Sequence, residues 1–287
     1  MKYQFIHDWK DVFRLRSMCR VLEVSSSGYY AWLNRYASSR DQANEDLTEL
    51  IRASHTRSRK TYGSPRITKD LREAGLKCGK NRVAAIMRDK KIVAKMKRRF
   101  KVTTNSDHKL PVAPNLVNQN FVAERPDQLW TSDITYIWTA EGWLYLAVVL
   151  DVCTRRIVGW SASNRMTANL IINALEHGVL RRRPARGTIF HSDRGSQYAS
   201  LDLRKALKDR GMIPSMGSTG SCYDNAITES FFHTLKTELI YHSKYATRDA
   251  AHMDLFDYIE VFYNRQRRHS SINYMSPAAF ENSLIHA

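Results

Sequence analysis

Leu129-Trp-Thr-Ser-Asp133-Ile-Thr-Tyr-Ile137 is an apolar run of β-branched and aromatic residues with one carboxylate near its middle. Residues of that kind suit a pleated, half-buried surface, so the stretch predicts a strand from Leu129 to Trp138. A carboxylate inside such a strand is costly to bury alone. Asp133 therefore needs a partner. A metal ion would serve, and so would a buried ion pair, for which Arg194 is a candidate.

Two more strands are expected downstream, Trp143 to Asp151 and Arg155 to Ala162, joined through Thr139-Ala-Glu-Gly142 and Val152-Cys-Thr154. Connections this short favour antiparallel neighbours. Met166 to Arg183 shows helical periodicity through Leu170, Ala174 and Leu175. Thr188 to His191 reads as a short strand, Leu201 to Arg210 as a helix and Met212 to Met216 as another strand. The order βββαβαβα, closed by a helix around Glu229, is that of an α/β, ribonuclease-H-like core: a three-strand meander, two further strands, and helices over both faces.

A period of about 100° per residue places Glu229, His233 and Lys236 in one sector of that last helix. Ile227, Phe231, Leu235 and Leu239 fall on the opposite arc, so the apolar side docks on a core and the polar side faces a cleft. Plain solvated surface groups are the alternative for Glu229 and Lys236. Ser221, Asp224 and Asn225 are candidate caps for the helix start.

Asp133, Asp193 and Glu229 thus lie in three different elements, the last two separated by 35 residues. A hard divalent cation prefers oxygen ligands, and phosphoryl transfer gains from ions that touch both attacking and leaving oxygens. Three carboxylates held together without metal repel one another. The spacing leaves open a purely structural trio.

The charge is lopsided. Of a net +17, residues 1–120 hold 26 Lys and Arg against 11 Asp and Glu, whereas residues 121–240 hold 14 against 12 and residues 241–287 hold 5 against 5. A basic front half fits a grip on nucleic acid phosphates; solvated helix faces are the other reading. Two helix-turn-helix patterns occur there. In the first, Ser17-Met-Cys-Arg-Val-Leu22 is a helix, Glu23 to Ser27 a turn, and Ser27 to Leu33 a second helix with Tyr30 and Leu33 packing together. In the second, Ser64-Pro65 opens a helix through Leu71 that Gly75 closes. Lys80 to Asp89 follows, with Val83, Ile86 and Met87 on one face and Lys80, Arg82, Arg88, Lys90 and Lys91 around it. That is the pattern of a recognition helix, or of an ordinary basic surface helix.

The basic cluster Lys95, Lys97, Arg98, Arg99 and Lys101 gives way to Thr103-Thr-Asn-Ser-Asp107, Pro111 and Pro114, a composition typical of a linker. The expected divisions are 1–40 and 41–100 for the two helix-turn-helix segments, 101–120 for the linker, 121–245 for the catalytic core and 246–287 for a C-terminal helix and tail. That helix is expected over Arg248 to His269, with Leu255, Ile259 and Phe262 inward. Its end carries Arg265, Arg267, Arg268 and His269, either presented to DNA or exposed with favourable dipole charges.

The longest apolar run, Trp143 to Leu150, has eight residues, far below the roughly 20 that span a bilayer. With no signal-peptide pattern at the start, a cytoplasmic protein without membrane association is expected. Cys19, Cys78, Cys153 and Cys222 form no CxxC pair or zinc pattern, which predicts reduced thiols.

Trp130-Thr-Ser-Asp133-Ile-Thr-Tyr136, His191-Ser-Asp193-Arg-Gly-Ser-Gln-Tyr198, and Tyr223-Asp-Asn-Ala226 with Glu229-Ser-Phe-Phe232 and Leu235-Lys236 resemble the three blocks of integrase-type transposases with an Asp, Asp, Glu triad. Met18-Cys-Arg-Val-Leu22, Ser27-Gly-Tyr-Tyr-Ala-Trp32, Tyr62-Gly-Ser-Pro-Arg-Ile67, Tyr263-Asn-Arg-Gln-Arg-Arg-His-Ser-Ser271 and Ser276-Pro277 are similar to one branch, the OrfB products of the bacterial insertion-sequence family numbered three. Retroviral integrases carry a zinc-binding His/Cys module that has no counterpart before Asp133, so the bacterial branch fits better.

The resemblance implies an integrase-type catalytic core in which Asp133, Asp193 and Glu229 bind two Mg²⁺ or Mn²⁺ ions for strand cleavage and strand transfer. It implies no covalent protein–DNA intermediate. In this family one end is first joined to the other on the same strand, and a circular intermediate then inserts. Lys236 would contact a phosphate of the element end, His233 would line the cleft, and Arg66, Lys80, Arg82 and Arg88 are candidate DNA contacts. The implied partners are double-stranded DNA, both transposon ends and target, a second copy in at least a dimer, and an OrfA-type partner or fusion. A non-catalytic DNA-binding regulator of the element, and a nuclease that only hydrolyses, are the competing functions.

Overall fold

The computed structural model describes residues 1–34, 38–95, 112–217 and 225–285. Most of the expected linker, the cations Lys97, Arg98, Arg99 and Lys101, Cys222, and the candidate caps Ser221 and Asp224 lie outside the described residues. The chain divides into two compact units, Met1–Ala53 and Ser54–Ala287.

In the first unit α1 (Lys2–Asp8), α2 (Leu15–Val21) and α3 (Ser26–Leu33) surround a small core of Ile6, Met18, Cys19 and Tyr29. The Ser25 hydroxyl caps α3 by accepting the Gly28 N–H at 2.9 Å. The expected packing of Tyr30 on Leu33 is not what forms: both are exposed, and Tyr29 takes the inward position. The apolar partners lie on α1 and α2, which face the Tyr29 side of the helix. α4 (Ser39–Arg57), which periodicity did not announce, has a polar, strongly charged composition and runs across the division between the units.

The second unit holds α5 (Ser64–Glu73) and α6 (Lys80–Asp89) and then a mixed sheet: β1 (Leu129–Thr139), β2 (Gly142–Asp151), β3 (Ile157–Ser163), β4 (Ile189–Ser192) and β5 (Ile213–Met216). Strand order is β3-β2-β1-β4-β5. β1, β2 and β3 pair antiparallel, whereas β4 pairs parallel with β1 and β5 parallel with β4. This is the expected ribonuclease-H-like sheet.

Each face of the sheet has its own core. Ile137, Leu146, Val148 and Leu150 meet α9 (Ala226–Glu238) and α10 (Arg248–Phe256), whose axis continues through a π-helical turn, Asp257–Tyr263. Trp130, Ala147, Val149 and Val158 meet α7 (Ala168–Arg182) and α8 (Leu201–Asp209) on the other side. The period of two along β1 and β2 explains the division. Gly159 lets α7 approach: a Cβ there would lie 2.0 Å from the Ala174 carbonyl oxygen and 2.7 Å from the Gly178 nitrogen.

The C-terminal region differs from the expected single helix ending in cations. The π-helical turn stops at Tyr263, and α11 (Pro277–Ile285) follows after an irregular stretch. Arg267 is buried with its guanidinium on Glu238 at 2.7 to 3.0 Å. Arg268 reaches back to Asp70 at 2.5 Å and to Glu73 on α5, and Tyr62 accepts the Arg268 backbone N–H at 2.7 Å. Arg267 and Arg268 are therefore internal fasteners. Arg265 is exposed. Among the described residues no helix is long and apolar enough to cross a membrane.

Candidate active site

β1 and β4 run parallel, with Thr131 opposite His191. Two residues further along the chain come Asp133, within β1, and Asp193, just past the end of β4, so the register carries both carboxylates to neighbouring positions. α9 lies against β1. Thr228 of α9 donates its hydroxyl to Thr131 at 2.7 Å, and the Asn225 amide donates to the Ser132 carbonyl at 3.1 Å. Those two bonds fix the start of α9 against β1 and hold Glu229, in its first turn, within electrostatic range of both aspartates.

α9 docks as its periodicity predicts. Phe231 and Leu235 are buried, Ile227 and Leu239 pack around them, and Glu229 is exposed while His233 and Lys236 are half-buried. Burying Phe or Leu contributes roughly 1.5–3 kcal/mol per side chain, which anchors the helix without help from its polar face. Asn225 occupies the cap position but makes no side-chain cap bond. Its amide is engaged with Ser132, and its buried Oδ1 has no hydrogen-bond partner among the described residues. Tyr198 is buried too, and its hydroxyl is hydrogen-bonded at 3.0 Å with Ser132, the residue before Asp133. Sequence reasoning singled out neither role, although both residues lie inside the quoted motif blocks.

Asp133 is half-buried and its carboxyl is pushed well above the usual carboxylate range. Desolvation is the main cause, followed by the negative charge of Asp193. Glu229 adds to the rise, while the Ile134 N–H at 2.7 Å and Lys236 oppose it. Glu229 is raised too, by desolvation and then by Asp193. Each aspartate holds a backbone N–H, Asp193 that of Gly195 at 3.0 Å. Arg194 directs its Nε–H to the Gly217 carbonyl at 2.6 Å, and the charges that act most on Asp133 are those of Asp193, Glu229 and Lys236. The Lys236 ammonium lies 5.4 Å from the Tyr136 ring centroid, and desolvation lowers its pKa. His233 Nε2 is 3.5 Å from the Thr237 hydroxyl.

The donor set suits a hard cation: three mutually repelling carboxylates with an orphaned amide oxygen close by. Among the described residues no three His, Cys, Asp or Glu side chains stand close enough to share one ion. Ligation therefore requires side-chain movement, and Glu229 is the exposed member of the trio.

Residues 123–222 match the integrase core domain family, residues 229–284 a second integrase core domain family, and residues 42–100 an HTH-like domain family. Over 287 residues the chain is 45% identical to Transposase InsF for insertion sequence IS3A of Escherichia coli (strain K12), covering 99% of this chain and 100% of that one. The chain belongs to the OrfB-type transposases of the IS3 family. It is also 47% identical over 263 residues to the Insertion element IS600 uncharacterized 31 kDa protein of Shigella sonnei, covering 92% of this chain and 97% of the relative. Among solved structures, the simian T-cell lymphotropic virus intasome in complex with PP2A regulatory subunit B56 gamma aligns with a TM-score of 0.48 and 15% identity, over 82% of this chain and 73% of that one. The transposase carries its integrase-type core as a polynucleotidyl transferase with an Asp, Asp, Glu motif.

The remaining candidate residues of the transposase fall in two places. Lys80, Arg82 and Arg88 are exposed on α6, whose Val83, Ile86 and Met87 are buried as expected. Arg66 is elsewhere: it is half-buried on α5, its guanidinium 5.5 Å from the Tyr62 ring centroid and 4.0 Å from Glu238.

Proposed function

We propose that this transposase binds the ends of its element and cuts and joins DNA strands at Asp133, Asp193 and Glu229, with two Mg²⁺ or Mn²⁺ ions held by those carboxylates. The observation that supports the reading is the parallel β1–β4 register together with the Thr131–Thr228 and Ser132–Asn225 bonds, which put three acids from distant parts of the chain within electrostatic range of one another. Once bound, the ions would supply Lewis-acid activation of water or a DNA 3′-hydroxyl and offset charge on the departing oxygen.

The side chains contribute positioning. Gly195 and Ile134 amides orient the two aspartates. Lys236, on the same sector of α9 as Glu229, contacts a phosphate of the element end, and His233 lines the same cleft. Lys80, Arg82 and Arg88 on α6 meet the duplex, consistent with their exposure beside a buried apolar stripe. Two ends must be handled together, which calls for at least a dimer on DNA; an OrfA-type partner or fusion supplies further end recognition. The domain limits 1–40, 41–100, 101–120, 121–245 and 246–287 belong to this proposal.

Incubating the protein with labelled terminal DNA of its element and Mg²⁺ tests the reading. Joined strands are the expected product. Cut strands that are never joined would make the protein a hydrolytic nuclease, and binding without cutting would leave only a regulator.

A further inference from the structure

A cavity of about 320 Å³ opens beside α9, on the flank next to the one that carries Glu229. Its polar lining comes from four separate segments: Arg66 of α5, Arg155 of the β2–β3 connection, Ser230 and Thr234 of α9, and Arg267 and His269 of the stretch before α11. Three guanidinium groups therefore face one small volume. Among the described residues Glu238 is the one carboxylate that pairs with any of them, and Arg267 takes it through both Nε and Nη2. Arg66 stands 4.0 Å from the same carboxylate. Arg155 is half-buried, and burial lowers its pKa while the charges of Tyr263 and Asp151 act the other way; its guanidinium makes no hydrogen bond or ion pair at contact distance among the described residues.

His269 does not add charge. Arg267 remains protonated, so its Nη1–H donates to His269 Nε2 at 3.1 Å, and the imidazole keeps its proton on Nδ1. Burial, then Arg267, Arg66 and Arg155, hold the ring neutral, with its pKa pushed down to about 2. A half-buried cation with no carboxylate at ion-pair distance is only partly compensated by the more distant Asp151 charge, and an anion entering the cavity relieves it further. Guanidinium forks and helix hydroxyls match the tetrahedral oxygens of a phosphodiester.

We propose that this cavity is a phosphate-binding notch for the DNA strand, with Arg155 as its principal contact and Arg66 as its second. Ser230 follows Glu229 directly in α9, so a strand whose reacting phosphate sits at the three acids runs past the notch within a nucleotide or so. The assignment rests on the DNA-joining reading for that path. Its test does not, because binding is measured without divalent metal.

The full chain and its Arg155→Ala, Arg155→Glu and Arg155→Lys variants are titrated with a terminal duplex of the element in EDTA over a range of salt. Loss of one charge-assisted phosphate contact should weaken binding about tenfold in Arg155→Ala, and lower the slope of log affinity against log salt by about one. Arg155→Lys should retain most of the affinity. Duplexes with single methylphosphonate substitutions keep the idea testable even if a variant folds poorly: one position should weaken the wild type and leave Arg155→Ala no weaker. Wild-type affinity and slope in both Arg155→Ala and Arg155→Glu would overturn the proposal, as would the absence of any such position. Inorganic phosphate separates the two sources of the anion. If it shifts the His269 ring resonances of the wild type while DNA binding ignores residue 155, the notch takes free phosphate and the DNA assignment falls. Catalysis by Asp193→Asn would sink the triad and leave these binding results untouched.

Discussion

Asp133 and Asp193 are sixty positions apart in the chain and side by side in space, because β1 and β4 pair in parallel with Thr131 opposite His191 and each aspartate lies two residues beyond. Antiparallel pairing would have sent the two carboxylates to opposite ends of the strands. The connection between β1 and β4, through β2, β3 and α7, returns the chain to the β1 edge in the same direction and so brings the two aspartates together.

Replacing Asp193 with Asn should abolish strand cleavage and joining while duplex affinity in EDTA stays unchanged. The same change should raise the thermal midpoint in EDTA, since the negative charge that disfavours ionised Asp133 and Glu229 is gone. Mg²⁺ at ten times its dissociation constant should stabilise the wild type by roughly 1.4 kcal/mol, seen as a rise in midpoint. The variant should respond far less. An equal response would place the ion elsewhere.

Gly159→Ala should destabilise the core by about 3 kcal/mol or more. The new methyl would meet backbone atoms of α7 at 2.0 and 2.7 Å, and backbone cannot rotate aside as a side chain can. A lowered denaturant midpoint with loss of activity in proportion to unfolding is the expected result; a midpoint equal to wild type would mean that α7 is free to shift from β3.

Glu238→Ala leaves Arg267 buried without its carboxylate and removes the acceptor of the Tyr258 hydroxyl, which lies 2.8 Å away. Breaking one side of a buried pair costs about 3–5 kcal/mol. Chemical denaturation should show that loss. Because Lys95 donates to the Glu238 backbone carbonyl and not to its side chain, Lys95→Ala should be much milder.

His269 makes stability depend on pH. Its folded pKa is depressed from 6.5 to about 2, so the stability it contributes is fully present above pH 6.5 and is lost as pH falls toward 2. The expected slope is roughly 1.4 kcal/mol per pH unit below 6.5. His269→Asn should flatten that part of the curve in denaturant titrations between pH 4.5 and 7.5. An unchanged slope would show that other groups carry it.

Much of the core could be read from the chain. Leu129, Trp143 and Ile189 open or flank strands found within two residues of their expected limits, and Lys80 to Asp89 is a helix with the expected buried stripe. α9 presents Glu229, His233 and Lys236 away from Phe231 and Leu235, because the helical period alone sets that relation. Two local readings failed for want of neighbours. Tyr30 and Leu33 are suitably spaced to touch, yet the core of the first unit lies on the Tyr29 side. Arg267 and Arg268 look like a solvated helix end until Glu238, Asp70 and Glu73 come within reach.

Composition and periodicity, which act over a few residues, determined that this protein has a basic helical front, a mixed sheet and a carboxylate-bearing helix. They also singled out Asp133 as a carboxylate that needs a partner, because a charge inside an apolar strand is costly to bury alone. Tertiary structure alone decided which cations are consumed by internal pairs and which stay exposed. The fate of a charge depends on groups brought near it by folding, here 29 residues away for Glu238 and Arg267 and 198 for Asp70 and Arg268, and no local pattern encodes that distance.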